Sequence, residues 1–196
     1  MVWDIGANQG VYSMLAGKKV SGIGQVFCFE PDRRMRRFLK VNRFFNNLRN
    51  RVVIVPLALG SLTGKAVLYR AAVTLGTHSL VERFDGYHTR GNAVKIKISR
   101  ADDLVRESLI PAPNAVKIDV EGAEYDVCEG FMGFMSTAPP RLILLEIHPR
   151  LIGNFGRSIE DLRRLLTGYG YEIADSGSRG SEYYWTARRK PILNEL

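Results

Sequence analysis

The segment Trp3-Asp4-Ile5-Gly6-Ala7-Asn8-Gln9-Gly10 restricts this chain to few folds. A short apolar run that reaches an acid and passes straight into glycines is the strand-to-helix turn of an open α/β sheet. Gly6 and Gly10 permit backbone angles and close approaches that a Cβ forbids, so the main chain can press against a ligand. Val11-Tyr12-Ser13-Met14-Leu15-Ala16 reads as the opening of a helix whose first N–H groups have no partner within it and face the same ligand. Val26-Phe27-Cys28-Phe29 reads as a second strand ending on Glu30, twenty residues after Gly10. A carboxylate at that offset accepts hydrogen bonds from both hydroxyls of a ribose.

The spacing decides which nucleoside. A dinucleotide turn has G-x-G-x-x-G with a pyrophosphate on the helix N-terminus, whereas this chain has G-x-x-x-G with Asn8 at the second glycine. Asp4 adds a negative charge where the pyrophosphate would lie, which disfavours a nicotinamide cofactor and an oxidoreductase. S-adenosylmethionine has no phosphate, carries two cations, and keeps a ribose for Glu30. The expected cofactor contacts are Asp4, Gly6, Ala7, Asn8, Gly10, Tyr12, Ser13, Glu30, Pro31, Ala58, Leu59 and Asp119. Asp4-Ile5-Gly6-Ala7-Asn8-Gln9-Gly10, Phe29-Glu30-Pro31, Ala58-Leu59-Gly60 and Ile118-Asp119-Val120-Glu121-Gly122-Ala123-Glu124 together resemble, in order and spacing, the FkbM-type family of S-adenosylmethionine-dependent methyltransferases. The resemblance runs roughly from Val2 to Arg150 and is most specific in the last block. It implies O-methylation of a small-molecule, sugar or glycan-related acceptor, and it leaves the general base open.

Strand and helix signals alternate along the rest of the chain. Arg51 to Leu59 is a β-branched run read as a third strand. Gly60 to Ala66 reads as a hairpin turn; Gly64-Lys65 lacks the spacing and hydroxyl of a phosphate loop. Two short β-like runs, Ala66 to Tyr69 and Ala93 to Ile98, enclose a polar stretch with Thr77, His78, Ser79, Asp85, His88 and Arg90. Excursions of this length are functional or mobile, so residues 66–98 are a candidate substrate lid, with a plain surface excursion as the alternative. Ser99 is placed as the cap of a short helix through Arg106, Ala115 to Ile118 as a fourth strand, and residues 122–132 as a helix. Arg141 to Glu146 reads as a buried parallel strand, and Ser158 with Glu160 and Asp161 opens a last helix. Tyr171 to Ala174 and Tyr183 to Ala187 read as an antiparallel edge pair. The expected fold is a single α/β domain over residues 1–196: one doubly wound, mostly parallel, Rossmann-like sheet.

Composition bounds the partners. At 196 residues, 45% of them hydrophobic, the chain can bury a core of ordinary size, and no apolar run approaches the ~20 residues of a membrane span. A signal peptide is not evident, so the expected compartment is the cytoplasm. The turn begins almost at Met1, which leaves no room for a helix covering the first strand from upstream and reads as a shortened gene product. The net charge of +8 is concentrated in Arg33, Arg34, Arg36, Arg37, Lys40, Arg43, Arg49 and Arg51, with Met35, Phe38, Leu39, Phe45 and Leu48 near helical spacing. That pattern fits a solvated helix face, a phosphate-binding surface of a nucleic-acid methyltransferase, or attraction to an acidic acceptor. Cys28 and Cys128 read as buried apolar residues.

Ligands of such sheets bind at the carboxyl ends of the strands, which makes Asp4, Glu30, Asp119, Glu121, Glu146 and His148 the chemical candidates. Methyl transfer needs an aligned acceptor and, for a hydroxyl, a proton acceptor. Asp119, Glu121 and His148 are the candidate catalytic residues. Duller roles are equally open: Glu121 and Glu124 suit the first turn of a helix, and His148 before Pro149 can serve a loop. A third reading gives Asp119, Glu146 and His148 a divalent metal, though nothing in the spacing requires one and none is expected. A catalytically inactive binding module is the remaining alternative.

Overall fold

In the computed structural model the described residues are 1–70, 78–80, 83–84, 87–88 and 93–190. In chain order the elements are β1 (Val2–Ile5), α1 (Val11–Lys19), β2 (Val26–Phe29), α2 (Arg33–Phe45), β3 (Val52–Val55), β4 (Ala58–Leu59), β5 (Gly64–Arg70), β6 (His78–Ser79), β7 (Arg83–Phe84), β8 (Tyr87–His88), β9 (Ala93–Ser99), α3 (Ala101–Arg106), β10 (Ala115–Ile118), α4 (Glu124–Glu129), α5 (Met132–Met135), β11 (Leu142–Ile147), α6 (Pro149–Ile152), α7 (Ile159–Gly168), β12 (Tyr171–Arg179) and β13 (Glu182–Arg189). The main sheet has the order β12-β13-β11-β10-β1-β2-β3. β3, β2, β1, β10 and β11 run parallel, and the last two strands are antiparallel, as the sequence pattern predicts.

Strand alternation sorts side chains to two faces. Trp3, Ile5, Phe27, Phe29, Ile118 and Leu145 go to the larger core, with helical residues such as Val127, Phe131 and Leu162. Val26, Cys28 and Val52 go to the smaller core with Met14, Leu39 and Leu48. Trp3 anchors the first core, fully buried, with its indole 5.0 Å from the Phe29 ring and its Nε1–H donating to the Pro111 carbonyl at 3.2 Å. Both cysteines are buried and unpaired. Burial pushes the Cys28 thiol up to about 12 and raises that of Cys128 as well.

Several boundaries differ from the sequence expectation. The run from Arg51 to Leu59 is two strands, because Pro56 has no N–H to continue the ladder; Ala58–Leu59 leaves the main sheet and pairs in parallel with Ile98–Ser99. β4 thereby joins a second sheet in which β5 and β9 are antiparallel partners. Of the proposed lid residues, Thr77, Asp85 and Arg90 lie outside the described residues, as do the side chains of His78, Ser79 and His88. Ser99 does not cap α3: Arg100 occupies the N-cap without a side-chain bond, and the Ser99 hydroxyl donates to the Arg100 carbonyl. The helix expected over 122–132 begins at Glu124 and is followed by the separate α5. Phe38 and Phe45 do not join the stripe of α2; they are exposed, while Met35, Leu39 and Leu48 are buried.

The last helix starts where its sequence indicates. Ser158 accepts from the Asp161 amide while Asp161 accepts from the Ser158 amide, a reciprocal capping box. Ser158→Ala is expected to cost about 1 kcal/mol, read as a Tm about 2–4 °C lower. An unchanged Tm would show that the box adds nothing to α7. Among the described residues no helix is long and apolar enough to cross a membrane.

Candidate active site

The turn after β1 is built against the end of β10. Gly6 has φ +76°, and a Cβ there would lie 1.8 Å from the Asp119 carbonyl oxygen, so this position admits only glycine. Asn8 adopts a left-handed backbone (φ 53°). Its N–H then donates to Oε2 of Glu30 at 2.8 Å, while Oε1 accepts from the Asp32 amide at 2.7 Å. Glu30 is 4% exposed, and burial, offset by these amides, pushes its carboxyl up to about 7. Each oxygen still has a lone pair free, so the side chain can accept two further hydrogen bonds. Gly6, Asn8, Glu30, Pro31, Ala58, Leu59 and Asp119 line one cavity, together with Glu121 and the apolar Ile5, Phe29, Leu68, Leu80 and Val120.

The remaining expected cofactor contacts do not line this cavity, and Asp4 and Tyr12 line a second one. Ala7 donates its N–H to the Phe29 carbonyl at 3.1 Å, and Gly10 forms the left-handed N-cap of α1. Ser13 is fully buried and its hydroxyl donates to Asp4 Oδ2 at 2.5 Å, which ties α1 to β1. Asp4, 2% exposed, has its carboxyl raised by burial. Tyr12 lies under the Lys117 ammonium, 4.4 Å from the ring centroid, and faces a second cavity. The acidic turn is thus closed by Ser13 and Lys117.

At the ends of β10 and β11 the structure gathers a charged cluster. Lys117 Nζ is 2.8 Å from Asp119 Oδ2 and 3.9 Å from Asp4 Oδ1. His148 Nδ1 is 2.8 Å from Glu124 Oε1, which also accepts from the Gly122 amide at 3.0 Å. The other imidazole nitrogen, Nε2, is 3.4 Å from Glu121 Oε2 and 4.0 Å from Asp119 Oδ1. Burial alone would depress the His148 imidazole; the Glu124 hydrogen bond and the facing Glu121 and Asp119 carboxylates override it and raise it to about 9. Burial pushes Glu121 up to about 7 against the pull of His148, and raises Glu146. Glu121 also has φ 54°, a left-handed conformation that costs a non-glycine residue about 1 kcal/mol or more and concentrates at functional sites.

Two participants escaped sequence reasoning. Glu124 reads as a helix-opening acid, yet it is fully buried and orients His148. Lys117 sits in a four-residue strand whose neighbours Val116 and Ile118 are core residues, and a lysine inside such a strand was the available signal. Asp119, Glu146 and His148 do converge, with one potential ligand atom from each within 4.8 Å of the others. Lys117 already supplies Asp119 with a cation, and the trio carries no metal assignment.

The geometry can be set beside known proteins. The hexuronic acid methyltransferase AglP of Haloferax volcanii is 28% identical over 168 residues, 85% of this chain and 61% of that protein. This chain therefore spans about three-fifths of that relative. The solved methyltransferase FkbM of Methylobacillus flagellatus superposes with a TM-score of 0.59 at 18% identity, covering 94% of this chain and 42% of the other. The magnesium protoporphyrin IX methyltransferase of Synechocystis, solved with bound S-adenosylmethionine, gives a TM-score of 0.54 at 16% identity, over 96% of this chain and 73% of the other. The two solved structures share the doubly wound sheet with this chain. The model of the methyltransferase FkbM domain matches residues 4–173, a span that takes in the glycine turn, Glu30 and the whole charged cluster, so the chain belongs to the FkbM methyltransferase family.

Proposed function

We propose that this chain transfers a methyl group from S-adenosylmethionine to a hydroxyl of a small-molecule or saccharide acceptor. The observation that carries the reading is Glu30: a buried carboxylate at the cavity, held by two amides, with two acceptor positions left for a ribose diol. Among the described residues, the charged side chains that line the cavity are all acidic, Glu30, Asp119 and Glu121, which suits a cationic cofactor without phosphates. Gly6, Asn8, Pro31, Ala58 and Leu59 would shape the nucleoside site, Ala7 and Gly10 would set the turn, and Asp4 with Ser13 would hold it from behind. A saccharide acceptor is favoured by the hexuronic acid specificity named for AglP.

Bound S-adenosylmethionine supplies an electrophilic methyl group. The protein's part is to align the acceptor and receive its proton. A carboxylate facing the sulfonium favours the ground state, whose charge fades in the transition state, so Asp119 and Glu121 contribute by binding or deprotonating the hydroxyl. With His148 held at about 9 and Glu121 at about 7, the imidazole is cationic at neutral pH and Glu121 is the better base. His148 then serves as a fixed cation that orients Glu121. Part of the basic segment 33–51 is tied into the fold, while Arg33, Arg34, Arg37 and Lys40 are exposed. Arg36, Arg43 and Arg51 donate to backbone carbonyls of Pro31, Val52 and Val20.

S-adenosylhomocysteine is expected to raise Tm while NAD leaves it unchanged, since only a ligand of the folded state stabilises it. The reverse result would sink the assignment. Labelled methyl transfer to a panel of sugars then identifies the acceptor. With that acceptor, Asp119→Asn is expected to keep cofactor affinity within a few-fold and lower kcat by about 10² or more. Full turnover in that variant would remove Asp119 from the chemistry.

A further inference from the structure

We propose that the outward face of helix α2 seats the protein on an anionic lipid surface. α2 turns Met35 and Leu39 into the core, and with about 3.6 residues per turn its opposite side carries two adjacent stripes. Arg33, Arg37 and Lys40 form one, which ends on Phe44; Phe38, Val41 and Phe45 form the other. Those last three apolar side chains are 46%, 50% and 76% exposed. The Arg49 guanidinium lies over the Phe44 ring, 4.2 Å from its centroid, so cations and rings interleave at the end of this face.

Little negative charge offsets this face. From Ile5 to Arg70 the only acids in the sequence are Glu30 and Asp32, and both are buried. The basic surface also extends past the helix: Arg51 donates to the Val20 carbonyl at 2.6 Å, which ties the end of the segment to the turn that follows the exposed Lys18 and Lys19 and bears Ile23, 94% exposed. Shape and charge then select the partner. A second copy meeting the same patch would set these cations against one another. A nucleic-acid strand is held in a charged groove with rings as stacking platforms, but this face is the outer side of a helix, and neither the Glu30 cavity nor the one Tyr12 faces is lined by a residue of 33–51. Val41 and Ile23 have no ring to stack. A bilayer surface needs no groove, since it takes cations at its anionic headgroups and Phe, Val and Ile side chains at the acyl boundary. Anionic lipid is the occupant that uses both stripes.

The test is flotation with vesicles of phosphatidylcholine alone and of equimolar phosphatidylcholine and phosphatidylserine, at physiological salt. Binding to the mixed vesicles is expected to be about tenfold stronger or more. Arg37→Glu combined with Lys40→Glu is expected to lower it about tenfold or more, whereas Lys95→Glu with Lys97→Glu, an equal change of charge at exposed positions of β9, should leave it within about threefold. Phe38→Ser with Phe45→Ser keeps the charge and is expected to lower binding about fivefold or more. All six positions are exposed, and an unchanged Tm shows that each variant is folded. Equal binding to the two kinds of vesicle, or mixed-vesicle binding that survives either α2 variant, overturns the proposal. So does an equal loss in the β9 variant, because the lipid then reads net charge and not this face. Capture of single-stranded oligouridylate in place of the mixed vesicles, lost in the same α2 variants, assigns the face to nucleic acid and overturns it too. Neither cofactor nor acceptor is needed, so the outcome is independent of the methyltransferase reading.

Discussion

Gly6→Ala is expected to destabilise the protein by about 3–5 kcal/mol and to abolish measurable cofactor binding. Two costs add. A non-glycine residue at φ +76° pays roughly 1–2 kcal/mol for the left-handed conformation. The larger cost is steric: the new Cβ would lie 1.8 Å from the Asp119 carbonyl oxygen and 2.9 Å from its carbon. That obstacle is backbone at the end of a central parallel strand, so the β1 turn and the β10 turn must separate. They carry Asn8 and Asp119 respectively, and both line the cavity. Gly22→Ala is the control, since Gly22 also has a positive φ (56°) but nothing within 4 Å of a Cβ. Urea denaturation should give about 1–2 kcal/mol for the control and at least twice that for Gly6→Ala. Equal losses would mean that the junction of the two turns yields easily and that the steric argument is wrong.

Glu30→Ala is expected to weaken S-adenosylhomocysteine binding by about 10- to 100-fold, the loss that accompanies removal of charge-assisted hydrogen bonds. The pH dependence gives a sharper signature. Burial holds Glu30 at about 7, above its ordinary value of 4.5. A bound diol donates two hydrogen bonds and favours the ionised form, so affinity should be full above pH 7 and fall toward tenfold per unit below it. Glu30→Gln should bind weakly and lose that step, leaving only the dependence due to Glu121, which has a similar value. The effect on stability has the opposite sign. A carboxyl raised on folding favours the native state while protonated, so without cofactor Glu30 does no harm near pH 4.5 and destabilises increasingly as pH rises toward 7. Calorimetry from pH 5.5 to 8.5 separates these outcomes; an affinity flat over that range would place the ribose elsewhere.

Much of this site was legible because its position depends on local spacing. The glycine turn, the acid after β2 and the block from Asp119 to Glu124 each state their chemistry within a few residues, and parallel strand order then brings them to one edge. Boundaries set by a single local cue were also readable, as at Ser158. What could not be read depends on partners distant in sequence. Ala58–Leu59 leaves the main sheet to pair with Ile98–Ser99, forty residues on. The clamp of Glu124 on His148 spans 24 residues, and both residues have ordinary local explanations. Phe38 and Phe45 repeat at near-helical spacing but look out to solvent, because α2 buries only a narrow stripe. The second cavity, which Tyr12 faces, is walled by α1 together with β11 and β13, far apart in the chain, and no motif marks it.

The chemistry of the two thiols has a practical consequence. Cys28 and Cys128 are sealed in the two cores, and neither ionises at neutral pH, so alkylating reagents and mild oxidants leave both untouched in the folded protein. A reporter can therefore be attached through one introduced surface cysteine without first deleting the natural ones. Conversely, labelling of the unaltered protein with a maleimide becomes a direct count of unfolded molecules, which turns any of the substitutions above into a stability measurement at native pH.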